Sequence, residues 1–449
     1  MHLPQTIINA AHLISREYGR AYVVGGSVRD HHLGLPVKDY DVEVFGIQEH
    51  ALPGLLSAFG KVDLIGKSFG VYKLTSDEGT FDFSLPRLET KNGSGYTGFD
   101  VEVNHQLTME EAAARRDFTI NAVYHDVLSG EFFDPYKGLK DLQDCVIRHT
   151  SAKFSEDPLR VLRAFQFSSR FNFRVAPETI ALCRSIKDEF AHLSTDRVWV
   201  EWEKWATKSK NWEIGLRFLD ACEWLEHFPL LHKLKSIEQS PKWHPEGNVF
   251  EHTCHCLGAM SRIETPIADR GVMAFAVLTH DLGKITHTQI DADGKITAYG
   301  HEAASGPLAE EFLRSIRSSN HYIERVVPLV IHHMFQNHGI SDTSVRRMAL
   351  RVSPATIEEL CALMECDKRG RPPHPDVCPE EIKEILEIAR RCNVGSVKPS
   401  PLILGRHLIE LGVNPGKQMG AVLHQCFEAQ LAGKFSTVED GILHAKRLI

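Results

Sequence analysis

Hydrophobic and polar positions follow two different periods along this chain. In the first 150 residues, short runs rich in β-branched and aromatic residues, which are typical of strands, alternate with helical stretches such as 3–17 and 107–116. The strand-like runs are AYVV, YDVEVFG, GVYKLT, TFDFSL and AVYHDV. From residue 155 onward, almost every segment repeats apolar residues at intervals of three and four, as in PLRVLRAFQFSSRF. The pattern predicts an α/β head followed by an all-helical remainder.

Two polar breaks that contain prolines interrupt the helical part of the chain. They are SIEQSPKWHPE at 236–246 and GRPPHPDVCPE at 370–380. Together with the change of period, they place domain boundaries near 150, 240 and 376. The predicted domains are an α/β head, a helical neck and body, a histidine-rich helical domain and a helical tail, over residues 1–150, 151–240, 241–375 and 376–449.

The composition excludes several classes of protein. With 43% hydrophobic and 24% charged residues, no signal-like N-terminus and no long apolar run, the chain is expected to be cytoplasmic and free of membrane contact. The net charge of −8 argues against a protein that coats nucleic acid along its whole surface, so RNA contact is expected on a local face. The ten cysteines form no CxxC pair, which indicates reduced thiols.

A glycine turn follows the first strand-like run of the head. The segment from Tyr22 to Asp30 predicts a strand that breaks at Gly25 and Gly26 and opens a helix. Such a turn presents free backbone N–H groups to a phosphate, with Arg29 available as a charged clamp. It is neither a GxGxxG fingerprint nor a P-loop, so dinucleotide-binding and Walker-type functions lose support.

Paired carboxylates follow this turn. In the run KDYDVEVFG, strand alternation puts Asp39 and Asp41 on one face, while the intervening apolar side chains are buried on the other. Asp82, in TFDFS, offers a third carboxylate from a second strand. Because clustered carboxylates repel one another, proteins usually place them together only where they bind a divalent cation. An oxygen-only site suits Mg²⁺, which bridges nucleotide phosphates and activates an attacking hydroxyl.

These residues carry a family resemblance. The segment GGSVRDHHLGLPVKDYD resembles motif A of the tRNA nucleotidyltransferase and poly(A) polymerase family, whose heads have a polymerase-β-like mixed sheet. RRDFTINA, at 115–122, is similar to a second segment of that family. The resemblance implies that Arg116, Asp117 and Asn121 recognise the ribose and phosphates of a nucleotide.

A third segment, EDPLR at 156–160, resembles the EDxxR segment of the same family. The resemblance implies that Asp157 and Arg160 select CTP or ATP without a template, because a carboxylate and a guanidinium on one helix face match the edge of a base. Arg163 is a further nucleotide-binding candidate. Gln166 departs from the family pattern, in which an arginine often supplies a phosphate charge, so the choice of added nucleotides stays open.

A different set of potential ligands lies between residues 244 and 367. His252, the doublet His280-Asp281 and Asp367 stand in the H…HD…D order of the HD superfamily, which this stretch resembles. Mixed nitrogen and oxygen ligands suit Mn²⁺, Fe²⁺, Ni²⁺ or Co²⁺ better than Mg²⁺. His301 and the adjacent pair His332-His333 are candidates for a second metal ion. Lys284 is expected either to hold a substrate phosphate or to be a solvated lysine at a helix end.

The resemblance implies an enzyme that adds CCA to the 3′ end of tRNA from CTP and ATP, as a monomer or homodimer. Addition of only A, only CC, or a poly(A) tail remains an alternative within the same chemistry. The HD-type domain is expected to hydrolyse 2′,3′-cyclic nucleotides or other phosphate esters. Two further alternatives are an HD phosphohydrolase with an RNA-binding head and a nucleotide-sensing regulator.

Overall fold

The structure, a computed structural model, describes residues 1–65, 70–91, 99–335 and 339–449. They form two compact units: Met1–Trp205 with Ile214–Trp224, and Ala206–Glu213 with Leu225–Ile449. The finer division at 150, 240 and 376 remains a prediction.

Strands concentrate in the first unit. In chain order they are β1 (Arg20–Val24), β2 (Asp41–Phe45), β3 (Lys61–Ile65), β4 (Val71–Ser76), β5 (Gly79–Ser84), β6 (Arg87–Lys91), β7 (Phe99–Val103), β8 (Tyr124–Asp126), β9 (Phe132–Phe133), β10 (Val146–Ile147), β11 (Arg174–Val175), β12 (Gln289–Ile290) and β13 (Ile296–Thr297).

Helices make up most of the described chain after residue 155. In chain order the α-helices are α1 (Gln5–Arg16), α2 (Gly26–His32), α3 (Leu52–Leu56), α4 (Met109–Ala114), α5 (Gly138–Gln143), α6 (Leu159–Phe171), α7 (Pro177–Ser185), α8 (Thr195–Lys208), α9 (Trp212–Ala221), α10 (Pro229–Lys233), α11 (Val249–Ala259), α12 (Arg270–Thr279), α13 (Lys284–His287), α14 (His301–Ser315), α15 (Asn320–His332), α16 (Asp342–Arg351), α17 (Ile357–Arg369), α18 (Glu380–Arg391), α19 (Gly405–Glu410), α20 (Lys417–Leu431) and α21 (Val438–Ala445). Short 3₁₀ helices lie at Thr119–Asn121, Ala152–Glu156, Lys187–His192, Trp224–His227 and Leu234–Ser236.

The sheet of the head has seven strands in the order β3-β4-β5-β2-β1-β8-β9. Only the β2–β5 pair is parallel among the pairings described for this sheet; the others are antiparallel. The predicted mixed α/β fold of the head is therefore confirmed. The parallel pairing sets Asp41 opposite Asp82, and the β1–β2 pairing sets Val24 opposite Asp41. The register thus brings the glycine turn, Asp41 and Asp82 to the same end of the sheet, where β1 ends and β2 begins.

The side chains that point to the other face of the strands form the hydrophobic core next to this end of the sheet. Val42 and Val44 of β2 and Phe83 of β5 are fully buried, together with Ile7 and Ile14 of helix α1. Branched side chains fit the pleated surface and bury apolar area, at about 25 cal/mol for each Å² removed from water. This packing fixes the strand ends where the carboxylates lie.

In the second unit, three helices with apolar residues on most faces form the centre. Helix α11 begins at Asn248, whose side chain accepts from the Glu251 N–H, and α12 begins at Asp269 in the same way. Helix α17 begins with a capping box between Thr356 and Glu359. These caps satisfy N–H groups that lack partners within the helix. Helices α11, α12 and α17 pack against one another and bring their polar residues together.

Among the residues described, no helix combines the length and apolar character needed to cross a membrane.

Candidate active sites

The head site forms where β1 ends at the glycine turn. Gly25 has φ +74°, a left-handed conformation that favours glycine, and it caps α2. A Cβ atom on Gly25 would lie 3.4 Å from Asp41 Oδ2 and 3.5 Å from Arg116 Nη1. The turn therefore lies directly beside one carboxylate and one guanidinium.

Asp41 and Asp82 face each other across the parallel pair, as the register requires. The surrounding protein raises the pKa of Asp41 by limiting its hydration; Arg116 opposes this rise, and Asp82, Asp39 and Glu43 add to it. Oδ1 of Asp82 is buried and has no hydrogen-bond partner in the described part of the chain; Lys73 Nζ lies 3.8 Å away. Converging carboxylates with an unpartnered oxygen fit a divalent cation with oxygen ligands.

The position of Asp39 differs from the prediction. Strand β2 begins at Asp41, so Asp39 lies in the preceding extended segment, exposed to solvent, and not on the strand. Its charge still acts on Asp41. The burial of Val42 and Val44 on the other face agrees with the predicted alternation.

Glu43, which the sequence analysis did not single out, lies on the same face as Asp41 but is fully buried. Its Oε1 accepts from Arg115 Nη2 and its Oε2 from Arg116 Nη2, both at 2.9 Å. Burial would raise the pKa of Glu43, but the two guanidinium groups outweigh it and lower the pKa to about 2. Glu43 thus holds Arg116 beside the glycine turn.

A chain of polar contacts connects the other predicted nucleotide-binding residues. Arg163 contacts Asp117 Oδ2 through Nε at 2.8 Å and Nη2 at 2.6 Å. Asn121 Nδ2 donates to Asp117 Oδ1 at 2.9 Å, and Asn121 Oδ1 accepts from Arg29 Nη1 at 2.8 Å. Burial opposes ionisation of Asp117, yet Arg163 and Asn121 lower its pKa. The structure therefore brings Arg163, Asp117 and Asn121 together. They form a hydrogen-bond network that connects α2, the 3₁₀ helix Thr119–Asn121 and α6.

Arg29 does not extend freely from the turn as a clamp. Its guanidinium is buried, contacts Asp30 Oδ1 through Nε at 2.8 Å and Nη2 at 2.7 Å, and lies 4.7 Å from the centre of the Phe171 ring. The prediction overlooked that the neighbouring Asp30 and the aromatic face of α6 give this arginine partners inside the protein. In this structure Arg29 joins α2 to α6.

The base-selecting pair also differs in detail from the prediction. Asp157 precedes α6, so the two residues do not share one helix face; Asp157 Oδ2 lies 3.0 Å from Arg197 Nη2. Arg160, in the first turn of α6, donates to the carbonyl oxygens of Lys153 and Arg115. Gln166 is buried, which means that an arginine at this position would not reach solvent as a phosphate ligand in this arrangement.

The HD-type site lies in the second unit and is built from four histidines with fixed orientations. Nδ1 of His280, His301 and His333 lies 2.6–2.8 Å from a carbonyl oxygen three residues earlier in the chain. Because a carbonyl oxygen only accepts, each Nδ1 carries a proton, and in the neutral ring Nε2 is left with the lone pair that binds a metal. His252 is oriented instead by Glu246, whose Oε1 lies 2.7 Å from Nδ1.

The four Nε2 atoms converge on two buried carboxylates. Asp281 Oδ2 lies 3.3 Å from His280 and 3.6 Å from His252, while Oδ1 lies 3.2 Å from His301 and 3.8 Å from His333. Asp367 Oδ1 lies 2.9 Å from His252. Asp281 therefore joins two groups of ligands, each with histidine nitrogen and carboxylate oxygen.

Several buried polar atoms of this cluster have no hydrogen-bond partner among the described residues, which leaves them available to bind a cation. Over the described ranges of the chain, Nε2 of His280 and Oδ2 of Asp367 are buried and have no hydrogen-bond partner. Nε2 of His301 and His333 face each other at 3.3 Å, although both carry lone pairs. Burial lowers the pKa of His333 to about 3, assisted by His280, which favours the neutral form that binds metals. The residues fit a transition-metal site, with histidines oriented by outer partners.

Of the adjacent candidates His332 and His333, the structure brings His333, and not His332, into the cluster. His332 is only half-buried, whereas His333 is fully buried. Val326 and Val330 on the buried face of α15 precede His333 by seven and three residues. That helical spacing was the signal that separates the two histidines.

Two cations and a cavity complete the HD-type site. Lys284 is buried, neither solvated nor free, and lies 2.7 Å from both Asp281 Oδ2 and Gln239 Oε1. Arg371 makes two contacts with Asp367. Its Nη2 contacts Oδ1 of the Asp367 carboxylate, and its Nε donates to the backbone carbonyl oxygen of Asp367 at 3.2 Å. The cluster opens into a cavity of about 640 Å³. Its excess positive charge favours an anionic ligand.

The sequence analysis passed over three contributors to these sites: Glu43, Glu246 and Arg371. Glu43 stands in the run YDVEVFG and Glu246 at the end of the break SIEQSPKWHPE, so their positions were visible. A carboxylate between valines on a strand indicates buried partners. Arg371 follows Asp367 by four residues, a spacing that brings two side chains together.

The mixed sheet, the glycine turn and the facing Asp41 and Asp82 define the class of the head as a nucleotidyltransferase. Residues 21–148 match the family described as the Poly A polymerase head domain. Over 367 residues, the chain is 35% identical to the Multifunctional CCA protein of Mannheimia succiniciproducens, with 78% of this chain and 84% of that protein covered. The protein of the same description from Shewanella denitrificans is 37% identical over 324 residues, with coverage of 71% and 74%. The chain belongs to this family of multifunctional CCA proteins.

Solved structures share the fold over nearly the whole chain. The Thermotoga maritima CCA-adding enzyme complexed with tRNA superposes with a TM-score of 0.65 at 18% identity, covering 99% of this chain and 94% of that chain. The Bacillus stearothermophilus CCA-adding enzyme in complex with CTP gives the same TM-score and identity, with coverage of 100% and 98%. The fold class is therefore confirmed through the helical part.

The Glu43 pairing predicts a pH-dependent stability. We expect Glu43→Gln to destabilise the head by up to about 3–5 kcal/mol at pH 7, since it removes the buried charge that two partly buried arginines contact. The pKa of Glu43 is about 2 in the fold, against 4.5 for a free carboxyl group, so the carboxylate stabilises above pH 4.5. The difference between the proteins should narrow as the pH falls from 4.5 toward 2. Urea unfolding at pH 7 and pH 4 measures it; a constant difference would contradict the assignment.

The histidine doublet supplies a matched pair of variants for the metal site. We expect His333→Ala to weaken Co²⁺ or Mn²⁺ binding by more than about tenfold, since even outer partners of metal ligands contribute roughly 10- to 100-fold. His332→Ala should bind these ions as the parent does, because its side chain lies outside the cluster. Isothermal titration calorimetry on both variants decides the point, and a reversed order of affinities would restore His332 as the ligand.

Proposed function

We propose that this protein adds CCA, from CTP and ATP, to the 3′ end of tRNA without a template. The observation that carries the proposal is the register of β2 and β5, which sets Asp41 beside Asp82 at the glycine turn. Carboxylates beside a glycine turn that opens a helix suit a nucleoside triphosphate bound with divalent cations.

The relatives support this substrate assignment. They are described as multifunctional CCA proteins, and similar folds were solved as CCA-adding enzymes with tRNA, CTP and ATP. The nucleotides, tRNA and an Mg²⁺-dependent reaction are therefore assigned to this chain. We further assign it to the cytoplasm, where tRNA is processed, as a monomer or homodimer.

In the reaction, the 3′-hydroxyl oxygen of tRNA forms a bond with the α-phosphorus of the nucleotide. The bond from that phosphorus to the bridging oxygen breaks, pyrophosphate leaves, and the hydroxyl proton is lost. Asp41 and Asp82, with Asp39 nearby, would hold Mg²⁺, which supplies positive charge for the phosphates. The N–H groups at Gly25 and Gly26 and the guanidinium of Arg116 bind the phosphates of the nucleotide.

Nucleotide choice is assigned to Asp157 and Arg160, supported by the network that Arg163, Asp117 and Asn121 form behind the turn. Each residue of the selecting pair has protein partners in this structure, so base recognition requires their exchange for base edges. Addition of only A, only CC or poly(A) uses the same head. Incubation with labelled CTP and ATP and with tRNAs ending before C, CC or CCA separates these alternatives.

If Asp41 holds Mg²⁺ for CCA addition, removing its negative charge should lower the rate of nucleotide addition. We expect Asp41→Asn to lower nucleotide addition by at least about 100-fold in Mg²⁺ while tRNA binding persists, because charge stabilisation by a metal contributes several kcal/mol. Asp63→Asn, at an exposed position of β3 in the same sheet, is the matched control and should keep full activity. Substantial incorporation by the Asp41 variant would remove the assignment of the carboxylates.

We also assign a phosphohydrolase activity to the HD-type cluster, with Ni²⁺, Co²⁺ or Mn²⁺ as its metal. The observation that favours it is the convergence of four oriented Nε2 atoms on Asp281 and Asp367, next to a cavity with Lys284 and Arg371. Hydrolysis joins a water oxygen to phosphorus and breaks the ester P–O bond, and the leaving oxygen takes a proton. Lys284 and Arg371 supply positive charge that attracts the phosphate.

The two activities are expected to separate by mutation, since their residues belong to different units. His280→Ala should abolish hydrolysis of 2′,3′-cyclic nucleotides in Ni²⁺, Co²⁺ or Mn²⁺ and leave CCA addition largely intact. His255→Ala, on the same helix as His252 but outside the cluster, serves as control. If the parent protein hydrolyses no phosphate ester with any of these ions, the cluster is structural. Loss of nucleotide addition in a folded His280 variant would disprove the independence.

A further inference from the structure

Two exposed aromatic rings belong to the cavity of the HD-type site. Trp243 is 60% exposed and Tyr299 is 82% exposed, although aromatic side chains contribute most when buried. Both line the cavity of about 640 Å³ that also contains Asp281, His301 and Asp367. Small-molecule sites range from roughly 300 to 1,000 Å³, so the cavity has room for a nucleotide.

Each ring is fixed to the cluster by a short segment of chain. Tyr299 is separated from His301 only by Gly300, whose φ of +79° turns the chain between an exposed ring and a buried ligand. The Ala298 carbonyl oxygen, which accepts a hydrogen bond from His301 Nδ1–H, belongs to the residue just before Tyr299.

Trp243 is held in an equivalent way on the other segment. It adjoins His244, whose Nδ1 lies 2.9 Å from Oε1 of Glu246, the same oxygen that orients His252. Its ring lies 4.8 Å from Lys242 Nζ, a cation–π contact that restrains it. The backbone positions that carry both rings are therefore held close to the metal-binding nitrogens.

The charges around the cavity favour a phosphate. Five cationic side chains line it against three carboxylates: Lys242, Lys284, Lys295, Lys368 and Arg371 against Glu238, Asp281 and Asp367. Two of those carboxylates are the proposed metal ligands, so bound cations would leave the lining strongly positive. Aromatic rings beside a positive groove bind bases by stacking and phosphates by charge.

We propose that Trp243 and Tyr299 bind the base of a nucleotide whose 2′,3′-phosphate lies at the metal cluster. The proposal rests on the phosphohydrolase activity assigned above and extends it: the site selects nucleotide esters over phosphate esters without a base. The nucleotide is either free or the last residue of an RNA strand. The two rings determine specificity and take no part in the bond changes.

A pair of matched substrates tests the proposal in the Co²⁺-loaded full-length protein. Adenosine 2′,3′-cyclic phosphate and glycerol 1,2-cyclic phosphate share the reacting group and differ in the base. We expect Trp243→Ala and Tyr299→Ala each to lower kcat/KM for the adenosine compound by roughly 5- to 150-fold, the range for loss of one stacked base. The glycerol compound should be unaffected.

Conservative and distant variants complete the design. Trp243→Phe and Tyr299→Phe retain a ring and should recover most of the lost kcat/KM. Tyr18→Ala, at a ring 95% exposed in the first unit, should change neither substrate. An RNA oligonucleotide ending in a 2′,3′-cyclic phosphate, compared with the free nucleotide, shows which source is preferred. Equal losses for both substrates, or no loss, would overturn the proposal.

Binding measured in metal-free protein, where phosphate esters are not hydrolysed, separates this proposal from the phosphohydrolase assignment. Adenosine 3′-monophosphate should quench tryptophan fluorescence in the parent protein, and Trp243→Ala should lose the quenching and weaken binding measured by calorimetry. If neither cyclic ester is hydrolysed but this difference persists, the hydrolase activity is wrong and the base site stands. If Trp243→Ala binds the monophosphate as tightly as the parent, the base site is wrong whatever the hydrolysis shows.

Discussion

The pairing of buried Glu43 with Arg115 and Arg116 determines how the head presents its charges. A carboxylate in the middle of a core strand is stable only with opposite charge beside it, and two consecutive arginines supply that charge. Because each guanidinium takes one carboxylate oxygen, the segment that carries both arginines is fixed against β2. The contacts from Asp117 to Arg29 continue from that segment, so the arrangement behind the glycine turn depends on this one buried group.

In the HD-type site, as in the head, buried polar partners fix the orientation of the functional side chains. There the reactive groups are imidazole nitrogens, and the partners that orient them are Glu246 and three carbonyl oxygens. In both sites the outer partners are neutral or oppositely charged groups at fixed distances. Side chains that would otherwise rotate therefore point toward the place where a cation or phosphate is expected.

Much of the fold followed from periodicity, since β1, β2, β4, β5 and β8 carry the alternating runs and α6, α8 and α9 the helical ones. Strands of two residues, such as β9 and β10, contain no period and were not predicted. Spacing identified Asp41, Asp82, His280, Asp281 and Asp367, because these residues stand in local motifs. Pairings across distance were not accessible: Glu43 meets its arginines 72 and 73 residues away. The choice between His332 and His333 depended on the rotation of one helix.

The bonds from ligand histidines to carbonyls three residues earlier have a consequence for metal identity. Those acceptors belong to the ends of helices and to a turn, so the nitrogen geometry is already present in the metal-free fold. A preformed site exchanges its ion without refolding, and its affinities then follow the general order in which Ni²⁺ exceeds Co²⁺ and Mn²⁺. At the transition-metal site proposed above, the ion bound in a living cell would then be decided by the supply of free metal.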